Sequence, residues 1–134
     1  MNSLNTQLSK KKVFITGGNG YIGSELVIFL KKLNCKTFLV SRKKNKKYIE
    51  NNITFLPVNI KKTPDWLKII KLVDVVVHLS WNNSIEYAEI NSQKSLTESI
   101  TPILKMIQAS KILKKKIKFI FSSTATLYGL SNKN

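Results

Sequence analysis

The sequence predicts an α/β protein built on a doubly wound parallel sheet, and three observations predict it. Short apolar runs of strand length recur along the chain, at residues 13–15, 36–40, 52–58, 74–79 and 117–121. Between them lie stretches whose apolar residues return at the spacing of a helix face, as at Ile22, Leu26, Phe29 and Leu30. The first strand also breaks into a glycine turn that opens the first helix. Strands alternating with helices imply right-handed crossovers and a parallel sheet covered on both sides.

Each element has its own signal. Residues 1–11 read as a loose polar arm ahead of a single domain at 12–134. The glycine turn feeds a helix over residues 21–33, ended by Asn34. The second strand, 36–40, leaves through Ser41-Arg42-Lys43-Lys44-Asn45, and Pro57 marks the third, 52–58, as an edge strand or one that ends early. Thr63-Pro64-Asp65 predicts a helix start with Pro64 near the first helical position and Trp66, Ile69 and Ile70 facing inward. The fourth strand is almost unbroken in its apolar residues, as a strand covered on both faces should be. A long amphipathic stretch over 84–113 follows, with Pro102 expected to divide or bend it, and Ser122-Ser123-Thr124 sits at the end of the last strand.

Composition narrows the function classes. A chain of 134 residues that is 43% apolar, with 3 prolines and 5 glycines, fits one globular domain and excludes a fibrous or disordered one. The single Cys35 makes no internal disulfide and reads as a small packing residue at a strand start. The apolar runs are too short for a signal peptide or a membrane span, so the expected location is cytoplasmic, with no membrane partner. Lys+Arg 23 against Asp+Glu 7 gives a net charge of +16. The lysine runs fall at element ends, lack interleaved aromatic residues, and match no recognition-helix or zinc-finger pattern. A solvated basic face is therefore preferred to a nucleic-acid surface.

The turn reads Thr16-Gly17-Gly18-Asn19-Gly20-Tyr21-Ile22-Gly23. Between a strand and a helix, Gly17 permits a tight turn and Gly20 lets a pyrophosphate approach the backbone. Gly23 lets the helix lie close to the strand, while the helix N-terminus faces the phosphates. The Gly-x-x-Gly-x-x-Gly spacing, with Tyr21 and Ile22 inside it, resembles the motif of the extended short-chain dehydrogenase/reductases of the NAD-dependent epimerase/dehydratase kind. A second stretch, Phe119-Ile120-Phe121-Ser122-Ser123-Thr124-Ala125-Thr126-Leu127-Tyr128-Gly129, is similar to that family's Ser-Ser-[Ser/Thr]-x-x-[Val/Leu]-Tyr-Gly segment.

The resemblance covers Lys12 to Gly129 and implies a Rossmann-type sheet, truncated before the family's later strands and its C-terminal substrate lobe. It implies a dinucleotide cofactor, a nucleotide-sugar substrate for the full-length parent, and a fold compatible with a homodimer. By the same match Thr124 holds the substrate oxygen at the reacting carbon, with Ser122 and Ser123 toward the nicotinamide ribose. Asn59-Ile60 stands where the family usually has an Asp and an apolar residue against adenine. His78-Leu79-Ser80-Trp81 resembles the family's His-[Leu/Ile]-Ala-[Ala/Gly/Trp], with the small Ser80 beside the cofactor and Trp81 able to wall the nicotinamide or substrate pocket. His78 itself reads as a packed strand histidine. At the exit of the second strand, Ser41 and Arg42 replace the acidic residue that would favour NAD. Arg42, the only arginine of the chain, can hold a 2′-phosphate in a bidentate way, so NADP is expected, with NAD as the alternative.

The chain departs from the family in one respect that governs activity. The proton-transferring Tyr-x-x-x-Lys pair is absent, since none of Tyr21, Tyr48, Tyr87 and Tyr128 has a lysine four residues on. The expectation is a cofactor-binding fragment that is inactive alone. A non-catalytic dinucleotide-sensing module and a polyanion-binding protein remain as alternatives.

Overall fold

The computed structural model describes residues 8–40, 52–60, 62, 64–81, 84–123 and 129. Five strands form one sheet: β1 (Lys12–Thr16), β2 (Lys36–Val40), β3 (Ile53–Leu56), β4 (Val75–His78) and β5 (Lys118–Phe121). Their order is β3-β2-β1-β4-β5, and every neighbouring pair is parallel. Helix α1 (Tyr21–Lys32) connects β1 to β2, α2 (Trp66–Leu72) connects β3 to β4, and α3 (Ile85–Ile90) and α4 (Ser92–Ile112) connect β4 to β5.

The period-two alternation of strand side chains divides the core between the two faces of this sheet. Val13, Ile15, Leu39 and Val77 point to one face, where they meet Val27 and Leu30 of α1. Phe14, Phe38, Val40 and Val76 point to the other, against Trp66, Ile69 and Ile70 of α2 and Ile103, Met106 and Ala109 of α4. The sheet is thus doubly wound, as the sequence predicts. β3 is an edge strand, and Pro57 stands just beyond its last residue, where its missing N–H costs no ladder bond. β5 is the other edge; its Ile120 and Phe121 remain 46% and 54% exposed.

Three local readings change. Pro64 lies ahead of the α2 cap instead of in its first turn, and Asp65 is the N-cap, its carboxylate accepting the Lys68 N–H at 3.1 Å. That hydrogen bond holds the Asp65 carboxyl below its ordinary pKa. The long amphipathic stretch divides at Asn91 (φ −125°, ψ 48°), not at Pro102, which is buried within α4. Ser84 caps α3 by accepting the Tyr87 N–H, and α4 runs through Pro102 because Ile103, Met106 and Ala109 anchor the following turns in the core. The arm also ends less loosely than expected: Cys35 Sγ donates to the Leu8 and Lys11 carbonyls, each at 3.2 Å. Burial pushes that thiol's pKa up.

The basic runs are not uniformly solvated either. Lys115 Nζ donates to the Lys71 carbonyl at 2.8 Å and lies 4.0 Å from the Asp74 carboxylate, closing the C-terminal end of α2. Asn34 takes a positive φ of 53° just past α1, where the sequence places the helix end. No helix among the described residues is long and apolar enough to cross a membrane.

Candidate functional site

The order of the strands locates the site. From β1 the chain winds outward through β2 and β3, then returns to the other side of β1 for β4 and β5. The crevice beyond the carboxyl ends of β1 and β4 is therefore the topological switch point of the sheet. Thr16 and His78, the last residues of those strands, are register partners. The glycine turn leaves from one and the Leu79-Ser80-Trp81 segment from the other.

The turn is built by contacts that admit no side chain. Gly17 has φ 73°, and a Cβ on it would stand 2.7 Å from the Leu79 carbonyl carbon and oxygen. A Cβ on Gly23 would overlap the Gly17 carbonyl oxygen and approach the Gly18 Cα to 2.7 Å. Gly23 therefore seats α1 on the turn itself, a closer contact than the helix-on-strand packing the motif suggests. Gly20 differs: among the described residues a Cβ there would meet only the Gly17 carbonyl oxygen, at 3.2 Å. Gly20 is also the N-cap of α1, and it makes no side-chain cap bond. The first intrahelical donor is Ser24 N–H, to the Gly20 carbonyl at 2.9 Å, so the preceding amides of the first turn have no acceptor within the helix. That turn holds no acidic residue, while Lys31 and Lys32 complement the dipole at the far end. Tyr21 and Ile22 flank it at 93% and 61% exposure.

Across the crevice, His78 is buried, with Nδ1 2.8 Å from the Thr16 hydroxyl oxygen. Burial pulls its pKa down to about 4, against a smaller upward pull from the Ser99 backbone. The packed strand histidine read from sequence is what the structure contains. Trp81 meets its ring edge-on, centroids 5.5 Å apart, and packs against the core on the α2–α4 side. Among the described residues no group meets hydrogen-bond geometry at the buried Nε2 of His78 or Nε1 of Trp81, although the Ser99 backbone lies close enough to the ring to act on its pKa. Leu79 and Ser80 are half-buried.

The other predicted residues that the structure describes follow the carboxyl ends of their strands. Asn59 is exposed after β3, while Ile60 is half-buried and joins Trp66, Thr97, Thr101 and Pro102 around a cavity of about 100 Å³. Ser122 and Ser123 are exposed directly after β5. Ser41, Arg42 and Thr124 lie outside the described residues. Two features escaped the sequence reading. Gly18 covers Leu39, whose side chain a Cβ would overlap. The Thr16–His78 bond was signalled by a polar residue closing each of two apolar strands, Val13-Phe14-Ile15-Thr16 and Val75-Val76-Val77-His78.

A doubly wound sheet with a glycine turn at its switch point defines the class, and comparison with known proteins gives the family. Residues 13–134 match the NAD dependent epimerase/dehydratase family, and the chain belongs to it. The UDP-glucose 4-epimerase of Mycoplasma genitalium is 30% identical over 129 residues, covering 90% of this chain and 38% of the relative. The UDP-N-acetyl-alpha-D-glucosaminuronate decarboxylase of Bacillus cytotoxicus is 32% identical over 125 residues, again covering 38% of its length. Among solved structures, the UDP-N-acetylglucosamine 4-epimerase of Methanobrevibacter ruminantium superposes with a TM-score of 0.75 at 29% identity, covering 92% of this chain and 41% of that one. The chain thus spans about two-fifths of the length of these relatives.

Proposed function

We propose that this chain is the NAD(P)-binding part of a nucleotide-sugar epimerase, dehydratase or reductase. The observation that carries the reading is the cradle at the switch point. Gly17 and Gly23 are fixed by backbone contact, and among the described residues Gly20 alone of the three motif glycines faces open space beside the first-turn amides of α1. Those amides and the helix dipole suit a pyrophosphate, and the missing Cβ of Gly20 lets it approach. Ser80 and Trp81 would border the nicotinamide, Asn59 and Ile60 the adenine, and Ser122 and Ser123 the nicotinamide ribose.

A bound nicotinamide ring supplies or accepts hydride at a sugar carbon. The chain's own part is to orient that carbon's oxygen through the Thr124 hydroxyl and to hold the cofactor. Proton transfer at that oxygen needs a group of suitable pKa, and the Tyr-x-x-x-Lys pair that serves this in the family is not among these 134 residues. The relatives named above act on UDP-linked sugars, which supports a nucleotide sugar as the parent's substrate.

Cofactor choice follows from Ser41-Arg42-Lys43, which offers a 2′-phosphate a guanidinium and two neighbouring donors and no carboxylate. Calorimetric titration with NADPH and NADH tests both claims. The unmodified chain should prefer NADPH, and Arg42→Asp should reverse the preference by replacing attraction with repulsion. Equal affinities in the unmodified chain would remove Arg42 from the site.

A further inference from the structure

The polar pair at the base of the crevice, beneath the cradle, has no part in the reading above. Thr16 and His78 are 0% and 1% exposed, and their side chains meet at 2.8 Å between adjacent strands. A buried hydroxyl needs an acceptor for its proton, and Nδ1 is the atom that faces it. A hydroxyl that donates to Nδ1 puts the ring proton on Nε2, directed away from Thr16. Thr16 is the side-chain hydrogen-bond partner of the ring, and the Ser99 backbone is a second polar group that acts on it.

The residues that follow the pair are themselves interlocked. Leu79 N–H donates to the Thr16 carbonyl at 3.1 Å, and the absent Cβ of Gly17 is what lets the Leu79 carbonyl and the Ser80 nitrogen lie against the turn. The two strand exits therefore run in contact for their first residues. Any slide of β1 against β4 would drive the turn into the Leu79 peptide. A pair of apolar side chains would fill the same volume without desolvating two polar groups, but would add no directional bond to the backbone ladder that joins β1 to β4.

We propose that Thr16 and His78 are a positioning pair for the nucleotide site. The hydroxyl-to-imidazole bond holds the Gly17 turn in register with Leu79, Ser80 and Trp81. The amides that face the phosphates and the wall that faces the nicotinamide are thereby set relative to each other before a ligand arrives. The pair touches no nucleotide and acts through Gly17 and Leu79. This inference rests on the nucleotide-binding reading given above.

The test is calorimetric titration of the full 134-residue chain with NADPH, together with imidazole ¹⁵N spectra. Thr16→Val and His78→Leu should each weaken binding about tenfold, the scale of one buried hydrogen bond, and the double variant should lose little more than either alone. Thr16→Ser keeps the hydroxyl, and His78→Asn places an amide oxygen near the position of Nδ1; both should bind within about threefold of the unmodified chain. Spectra of the unmodified chain should show the proton on Nε2, and the Nδ1 signal should move in Thr16→Val. Rescue by Asn but not Leu, with circular dichroism unchanged, separates positioning from bulk stability. NADPH binding by Thr16→Val at unmodified affinity, failure of Asn to rescue, or a proton on Nδ1 would each overturn the proposal. A chain that binds no NADPH in any form would overturn the nucleotide reading and the proposal with it.

Discussion

His78 is the only histidine in the chain, and its burial makes a pH dependence that can be assigned to one ring. In the unfolded chain an imidazole titrates near 6.5; in the folded protein burial lowers this to about 4. Between those values the unfolded chain binds a proton that the folded one refuses, so acid favours unfolding. The stability contributed by the neutral ring is complete above pH 6.5 and is lost progressively as pH falls to about 4, where the loss levels off. A fall from 6.5 to about 4 corresponds to about 3 kcal/mol, a substantial part of the ~5–15 kcal/mol that stabilises an ordinary domain. Urea unfolding followed by circular dichroism at pH 7, 6, 5 and 4 reads this directly. His78→Asn, which cannot titrate, serves as the reference that cancels the carboxylates common to both proteins. The difference between the two stabilities should change by about 3 kcal/mol across the window, steepest at 1.4 kcal/mol for each pH unit. Parallel profiles would refute the reasoning, since the ring would then be hydrated or paired in a way that burial does not describe.

Two further outcomes follow from the turn and from the missing acid–base pair. Gly23→Ala should destabilise the fold by about 1–3 kcal/mol, because its methyl group would overlap the Gly17 carbonyl; an unchanged thermal midpoint would contradict that packing. Purified residues 1–134 should show no epimerase, dehydratase or reductase turnover with UDP sugars, because general acid–base catalysis worth ~10²–10⁴ in rate has no Tyr–Lys pair to supply it. Sustained turnover by this chain would mean that another of its groups moves the proton.

The fold was legible because the strongest signals in the sequence were local and mutually consistent. Five strand-length apolar runs, separated by helical periodicity, leave few topologies once right-handed crossovers are required. Pro57 identified an edge, and Asn34 a helix end, from the backbone demands of those residues alone. Pro102 misled for the opposite reason. Its local preference for breaking a helix is overridden by Ile103, Met106 and Ala109, which pin the following turns to the sheet, and no local signal reports a contact of that range. Asn91 breaks the stretch with a backbone conformation that its residue type permits without announcing.

The candidate site divides in the same way. Gly17 and Gly23 were legible because only glycine tolerates the approach each position requires, although the partner that Gly23 meets is the turn itself. Gly18 was not, since its constraint is the side chain of Leu39 on the next strand. The tie between Thr16 and His78 joins positions 62 residues apart, and sequence showed each only as a polar residue ending an apolar strand. Lys115 likewise reads as one lysine in a basic run, while its ammonium closes the end of α2.

The central claim, that the switch-point crevice is a dinucleotide site, is tested most directly by mapping amide chemical shifts during titration with NADPH. Saturable changes should concentrate at Gly17, Gly20, Tyr21, Ile22 and Gly23 and at Leu79, Ser80 and Trp81. They should vanish in Gly20→Val, whose side chain would occupy the space beside the α1 amides. Saturable changes confined to another face, or undiminished in Gly20→Val, would contradict the account.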